Sequence, residues 1–361
     1  LKNRFTLAAL RHFACQAFEA RHFSKHHARL SAELLVRADA RGVDSHGVAR
    51  LSGYIRLIEA GRLNPEPVFA WKQTFPTLCT LDADKSIGFI AASAAMEKAI
   101  EMAATTGCGM VAVKNSNHFG IAGQYALMPT GHNMIGMAFT NASPLVAPTH
   151  STERLLGTNP IAVAIPALVN KPFVLDMATT TAANGKLEIL ERKKQQTPVG
   201  WIQQKDGKDT TDPSGLKSGG ALRPLGSFPH SGSHKGYGLG AVVDILSGVL
   251  SGANFGPWVP PFVAFLPMAE QLVGEGIGHF FMAFRVDGFM DANDFKGRMD
   301  LWMETFRNAQ HQGEEPVLVP GDPEWALEAE REQNGVVLLA PVVEDLNTLA
   351  IKLGIAPLAA D

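Results

Sequence analysis

The chain is poor in cysteine: Cys15, Cys79 and Cys108 are the only three in 361 residues, and they stand far apart. That excludes a disulfide framework and any C-x-x-C redox or zinc motif, and it places the expected workplace in a reducing compartment, the cytoplasm. No run of about 18 apolar residues occurs, which excludes a membrane-spanning helix. An excess of one charge is lacking too. Lys and Arg number 32 against 35 Asp and Glu, a net −3, so nothing draws the chain to nucleic acid or an anionic membrane. The start is apolar in stripes (Phe5, Leu10, Phe13, Phe18), as an amphipathic helix is, and it has no small-residue cleavage site of a secretory signal. There is no Walker loop and no G-x-S-x-G elbow. His22, His26 and His27 lie close together, but without H-E-x-x-H or cysteine company; a solvated helix face is expected, and no metal.

What is present is ordinary globular material: 46% apolar and 19% charged residues over a length that suits two or three packed units. Residues 1–62 read as helices. Ser31 is the expected N-cap of the second, which stops at Gly42, and a third runs from Gly47 or Val48 to Glu59 and ends at Gly61. Asn64-Pro65-Glu66-Pro67 is a linker signal. From about 68 the texture changes to short apolar runs with glycine punctuation: TLCTLDA, GMVAVKN, IGMAFTN, IAVAIP and FVLDMAT are expected strands, and SIGFIAASAAMEKAIEMAATTG a helix. Residues 204–233 read as a long exposed loop, GYGLGAVVDILSGVLSG as helix, HFFMAFRV as strand and 292–312 as helix. A turn at Pro320–Pro323, a short helix to Asn334 and an apolar run at Val336–Leu339 complete the chain. Strands mixed with helices imply an α/β fold of the α+β type, divided as 1–67, 68–290 and 291–361.

Four segments carry candidate chemistry. In Asp44-Ser45-His46-Gly47-Val48-Ala49-Arg50, a helix starting near Gly47 puts Ser45 and His46 at its mouth, with Arg50 one turn on. Reduction of a 2-oxo acid needs a proton donor and a forked cation for the carboxylate, and His and Arg are those two groups. Asn115–Gly120 follows a strand, so His118 is a second acid/base candidate. Gly157–Pro160 and Asp176–Thr180 flank two strands and offer groups for cofactor hydroxyls, although such residues also stabilise turns unaided. His234-Lys235-Gly236 opens a helix, where glycines and a lysine suit an anion. Gly236–Ala241 even fits G-x-G-x-x-A, but no strand precedes it and Asp244 comes too soon, so a Rossmann site is rejected.

Taken in order, RADARGVDSHGVARLSGYI, VKNSNHFGIAGQY, LLGTNPIAVAIP, FVLDMATTTAANGK, TTDP and HKGYGLGAVVDILSGVLSG resemble the type 2 malate/L-lactate dehydrogenases. That family also holds sulfolactate, ureidoglycolate and diketogulonate enzymes and a cyclic-imine reductase. The resemblance implies a non-Rossmann, mainly antiparallel sheet in the cofactor domain, helical segments from both chain ends packed together, a homodimer, and hydride exchange between NAD or NADP and a small 2-hydroxy or 2-oxo acid. By the same resemblance His118 and His46 compete for the acid/base role, with His118 preferred. Ser45, Arg50, Tyr54 and Lys186 line the substrate pocket. Thr140, Asp176, Met177, Ala178, Lys235 and the turn Gly321, Asp322, Pro323 and Glu324 meet the cofactor. One departure, PTHSTERL before Gly157, replaces a glycine-containing loop. A cyclic imino acid, ureidoglycolate or a sugar-derived 2-oxo acid would use the same anchor and donor. A nucleotide-binding protein without catalysis is the reading from another class.

Overall fold

The structure, a computed structural model, describes residues 3–359. A short strand β1 (Arg4–Phe5) leads into α1 (Leu7–Glu19) and α2 (Lys25–Ala40). Thr6 and Ser24 cap these helices, their hydroxyls accepting from the Ala9 and His27 amides. Ser31 is not the cap: the apolar stripe extends back through Ala28, so the helix starts about two turns earlier and Ser31 is fully buried within it. The same start separates the histidines. His22 sits in the turn before α2 with φ of 66°, off the helix face that carries His26. Gly42 closes the helix in the left-handed conformation, as expected. One 3-10 turn, Val48–Arg50, opens α3 (Leu51–Glu59).

The body is a seven-stranded sheet. Its strands are β2 (Ala70–Phe75), β3 (Leu78–Asp82), β4 (Cys108–Ser116), β5 (Met134–Thr140), β6 (Ile161–Ile165), β7 (Phe173–Met177) and β11 (Ile277–Arg285), in the order β2-β3-β4-β11-β5-β6-β7. Every pairing is antiparallel except β3 with β4, which α4 (Gly88–Thr106) connects as a crossover. The short helix α5 (Gly123–Ala126) follows β4, and α6 (Asn184–Arg192) follows β7. Alternation along β11 divides the core. Phe281 and Ala283 join the main cluster with residues of α4, whereas Phe280 packs with Ala112, Phe139 and Val243 of α7 (Ser233–Asp244), which one π turn, Ile245–Val249, extends.

Residues 204–233 are not an exposed loop. β8 (Ile202–Gln203), β9 (Asp209–Thr210) and β10 (Ala221–Leu222) form a small sheet in the order β10-β8-β9. Ile202, Leu216 and Leu222 are buried there, against Leu145, Leu156 and Leu187. The polar and Gly-rich composition belongs to the turns between these very short strands, which hides the apolar residues from a periodicity search. After β11 come α8 (Ala292–Arg307), which ends five residues before the expected 312, α9 (Asp322–Asn334), β12 (Val336–Val337) and α10 (Ala340–Leu353). β12 pairs with β1, and α9 packs on α2 and α10 on α3, so the two chain ends meet. β2 was not expected from the sequence, and α10 only as part of a helical C-terminal segment, 291–361.

Candidate active site

Strand directions gather the site. β11 is antiparallel to both β4 and β5, and β6 to both β5 and β7, so β4, β5 and β7 end at one edge of the sheet. That edge carries His118, Thr140 and Asp176–Ala178 together. The α2–α3 connection brings Ser45, His46, Arg50 and Tyr54 against it. His118 lies between aromatic rings, 5.6 Å from His46 at 18° and 4.5 Å from Phe262 at 28°. Its Nδ1 is 2.5 Å from the buried Tyr54 hydroxyl. His46 Nδ1 pairs with Ser45 Oγ at 2.9 Å. Arg50 Nε donates to the Ser45 carbonyl at 2.6 Å.

These contacts set the charge state. Crowding by protein, then His46, Arg50 and His279, hold the His118 imidazole well below the usual histidine range. Crowding and Arg50 bring His46 down to about 3. Burial raises Tyr54, which stays a phenol. A phenol both donates and accepts, so it can hold either neutral tautomer of His118: the Gly120 amide, 3.4 Å from Nδ1, favours Nδ1 as the acceptor, and in the other tautomer Nδ1–H donates to Tyr54 and Nε2 is left as the basic nitrogen.

The sequence reading missed the supports. Asp39 is 1% exposed, and its carboxyl Oδ2 accepts from the Val48 amide at 2.8 Å, fixing the mouth of the 3-10 turn. Burial pushes its carboxyl up to about 8, the Val48 bond offsetting only part. A Cβ on Gly47 would overlap that carboxyl, which is why glycine follows His46. Arg331 of α9 donates to the Asp39 carbonyl and pairs with Asp44, tying the loop to the C-terminal helices. On the sheet, His279 bonds Thr140 Oγ1 and Ser116 Oγ, both at 2.7 Å, and stacks on Phe119. A histidine opening the apolar run HFFMAFRV was the available signal; Phe262 and Glu188, which pairs with Arg50, had none.

The expected cofactor residues distribute around β7. Asp176, the last residue but one of β7, is open to solvent and accepts from the Gly123 amide at 2.7 Å, keeping acceptor capacity for a hydroxyl. Met177 and Ala178 follow, half-buried. Gly321, at φ of 103°, lies beside Val174 of the same strand, with Pro323 exposed and Glu324 half-buried next to it. His234 and Lys235 are exposed at the start of α7. Two of these residues are committed elsewhere: the Thr140 hydroxyl to His279, and the Asp322 carboxylate to Arg307, at 2.7 and 3.0 Å. Gly236 serves packing, since a Cβ there would strike the Leu225 backbone. Lys186 is exposed on α6. An acidic acceptor at a strand end, flanked by a helix start bearing Lys235, fits the hydroxyls and phosphates of a dinucleotide. Among the described residues, no group of three or more His, Cys, Asp or Glu side chains is arranged to hold a metal ion.

An imidazole held by a phenol, next to a forked cation, at the edge of a sheet without Rossmann topology: this is the equipment of a 2-hydroxy-acid dehydrogenase. Comparison with known proteins agrees. The family model for malate/L-lactate dehydrogenase matches residues 5–347. A malate dehydrogenase of Pyrococcus abyssi is 41% identical over 91% of this chain and 89% of its own length. An NAD(+) ureidoglycolate dehydrogenase of Escherichia coli O157:H7 is 31% identical over 89% and 88%. The solved malate dehydrogenase of Pyrococcus horikoshii superposes with a TM-score of 0.89, at 36% identity, over 99% of this chain and 98% of that one. The chain belongs to the malate/L-lactate dehydrogenase family and acts on the CH–OH group of malate- or lactate-type acids.

Proposed function

We propose that the chain interconverts malate and its 2-oxo acid with NAD or NADP, His118 carrying the proton and Arg50 the C1 carboxylate. The Tyr54–His118–His46 cluster beside Arg50 carries this reading. When bound, the nicotinamide ring supplies the hydride acceptor or donor. In oxidation, neutral His118 takes the hydroxyl proton on Nε2 in the tautomer whose Nδ1–H donates to Tyr54 in place of accepting from the Gly120 amide; in reduction the imidazolium returns it. Ser45 and His46 would shape the pocket wall, with Lys186 as a further pocket residue. Asp176, Met177, Ala178, Lys235, Gly321, Pro323 and Glu324 would hold the dinucleotide, with NAD favoured by the NAD(+) relative.

Malate over lactate is supported by the malate dehydrogenase relatives; a cleft of about 590 Å³ that adjoins the His118 cluster through Arg50 and Phe262 adds an excess of cations, Arg50, Arg56, Arg192 and Lys217 against Glu188 and Glu191, on that side. Malate, lactate, sulfolactate, ureidoglycolate and a cyclic imino acid, each followed at the nicotinamide absorbance band with NAD and NADP, test this. Malate is expected to give the highest kcat/KM. Turnover of the cyclic imine or ureidoglycolate alone would move the assignment there, and tight NAD(P)H binding without any turnover would leave a nucleotide-binding protein.

The assembly is proposed as a cytoplasmic homodimer in which residues 1–67 and 291–361 pack together against the 68–290 body. No helix among the described residues is long and apolar enough to cross a membrane. Leu239, Val242, Ile245, Val249 and Leu250 are each at least 40% exposed along α7 and its extension, an apolar face that a second copy would cover. Sedimentation is expected to give twice the chain mass; a monomer at micromolar concentration would sink the dimer.

A further inference from the structure

Arg50, the anchor of the proposed reaction, is already engaged. Nε donates to the Ser45 carbonyl at 2.6 Å, and Nη1 donates to Glu188 Oε1 at 3.1 Å and lies 2.9 Å from Glu188 Oε2 as an ion pair. Paired recognition of a carboxylate takes two N–H groups along one edge of the guanidinium. The Nε–Nη2 edge is therefore taken at Nε by the Ser45 carbonyl, and at the other end of the fork Glu188 already occupies Nη1. The helix that carries Glu188 lies directly on this group. A Cβ on Gly185 would overlap Ser45 Cβ and come within 3.2 Å of Arg50 Nη2. Arg50 and Glu188 also share the 590 Å³ cleft with Phe262 and Arg192.

Glu188 has somewhere else to go. Arg192, one turn further on the same helix, has Nη2 3.9 Å from Glu188 Oε2, the reach of a weak second ion pair. Asn184 meanwhile donates to Glu188 Oε1 at 2.8 Å and steadies it between the two arginines. We infer that Glu188 is a specificity-determining counter-carboxylate: it holds the Arg50 fork until the C1 carboxylate of the substrate displaces it, and then pairs with Arg192. A full negative charge must therefore be presented at C1 to win the exchange, which selects ionised acids over their amides and esters. The exchange conserves charge around Arg50, so binding does not leave a half-buried guanidinium or carboxylate unpaired.

This inference rests on Arg50 as the anchor, and the test separates the two. Glu188→Gln keeps the shape and the Asn184 contact while removing the competing charge. It is expected to lower KM for malate and its 2-oxo acid by about three- to fivefold, the scale of a partly exposed ion pair. kcat should stay within about twofold and the NAD(P)H Kd unchanged, a split that simple loss of structure does not produce. The advantage of an acid over its C1 amide should shrink by a similar factor. Glu188→Ala is expected to move KM the same way, and Glu188→Asp to restore it partly. If Glu188→Gln leaves KM unchanged or raises it while Arg50→Ala raises it strongly, Glu188 does not compete and the inference falls alone. If Arg50→Ala leaves KM where it was, the anchor itself is misassigned, and the inference falls with it.

Discussion

His118→Asn is expected to lower turnover by about two to four orders of magnitude in both directions, with the NAD(P)H Kd unchanged. Asparagine keeps a polar side chain in the gap between His46 and Phe262 but cannot take up a proton. The choice of His118 over His46 follows from what each ring touches. His118 is joined to a fully buried phenol that persists as a proton partner, whereas Nδ1 of His46 is paired with the neighbouring Ser45 hydroxyl. His46→Asn should therefore cost less turnover, and its effect should include KM. The experiment is single-turnover oxidation and reduction with each variant, beside cofactor titration by fluorescence. If His46→Asn abolishes the proton step and His118→Asn spares it, the assignment reverses.

The pH profiles give the same proposal a second test. Because the free His118 imidazole titrates well below 6.5, the neutral base is complete at neutral pH. kcat/KM for oxidation should stay flat as pH falls through 6.5. Reduction needs the imidazolium, whose fraction drops about tenfold per pH unit above the folded value, so its kcat/KM should decline steadily from pH 6 to 8. Stability moves with the same groups. His46 and His279, both brought down to about 3, contribute fully above the unfolded value near 6.5 and lose that contribution as pH falls towards 3. Rates below pH 5 therefore need a parallel unfolding control.

The long helices and the apolar strands of the sheet were legible because each presents an unbroken period of 3.6 or 2. Two things defeated that reading. Strands of two residues, as in β8, β9 and β10, are too short to show a period, and their buried Leu222 and Ile202 are separated by turn residues. The start of α2 was misplaced because Ser31 and Ser24 look alike as caps, and only burial of Ser31 tells them apart. At the site, His46, Arg50 and His118 could be named in advance because acid/base and anion-binding types stand there at a helix mouth and just past a strand end. The groups that aim them could not. Asp39 fixes Val48 and Glu188 holds Arg50 across 138 positions, contacts that only the packing of α2, α3 and α6 creates.

Arg50→Ala is expected to lower kcat/KM for malate by about two to three orders of magnitude, chiefly through KM, the cost of truncating one partner of a half-buried charge pair. The loss has two parts: the substrate carboxylate loses its anchor, and Glu188 and the Ser45 carbonyl lose a donor. Arg50→Lys should recover only part, since an ammonium restores the charge but not the fork that spans Ser45 and a carboxylate. A C1-amide analogue, without charge to anchor, should show a much smaller change. The substitution also reaches the proton. Arg50 is among the groups that lower both His118 and His46, so its removal should raise both imidazoles towards the ordinary range. The falling limb of the reduction profile would then move to higher pH in Arg50→Ala, and the oxidation profile would begin to fall at a higher pH than in the parent. A variant with raised KM and unmoved pH limbs would keep Arg50 as an anchor and remove it from control of the proton. A variant with unchanged KM would remove it from the substrate site altogether.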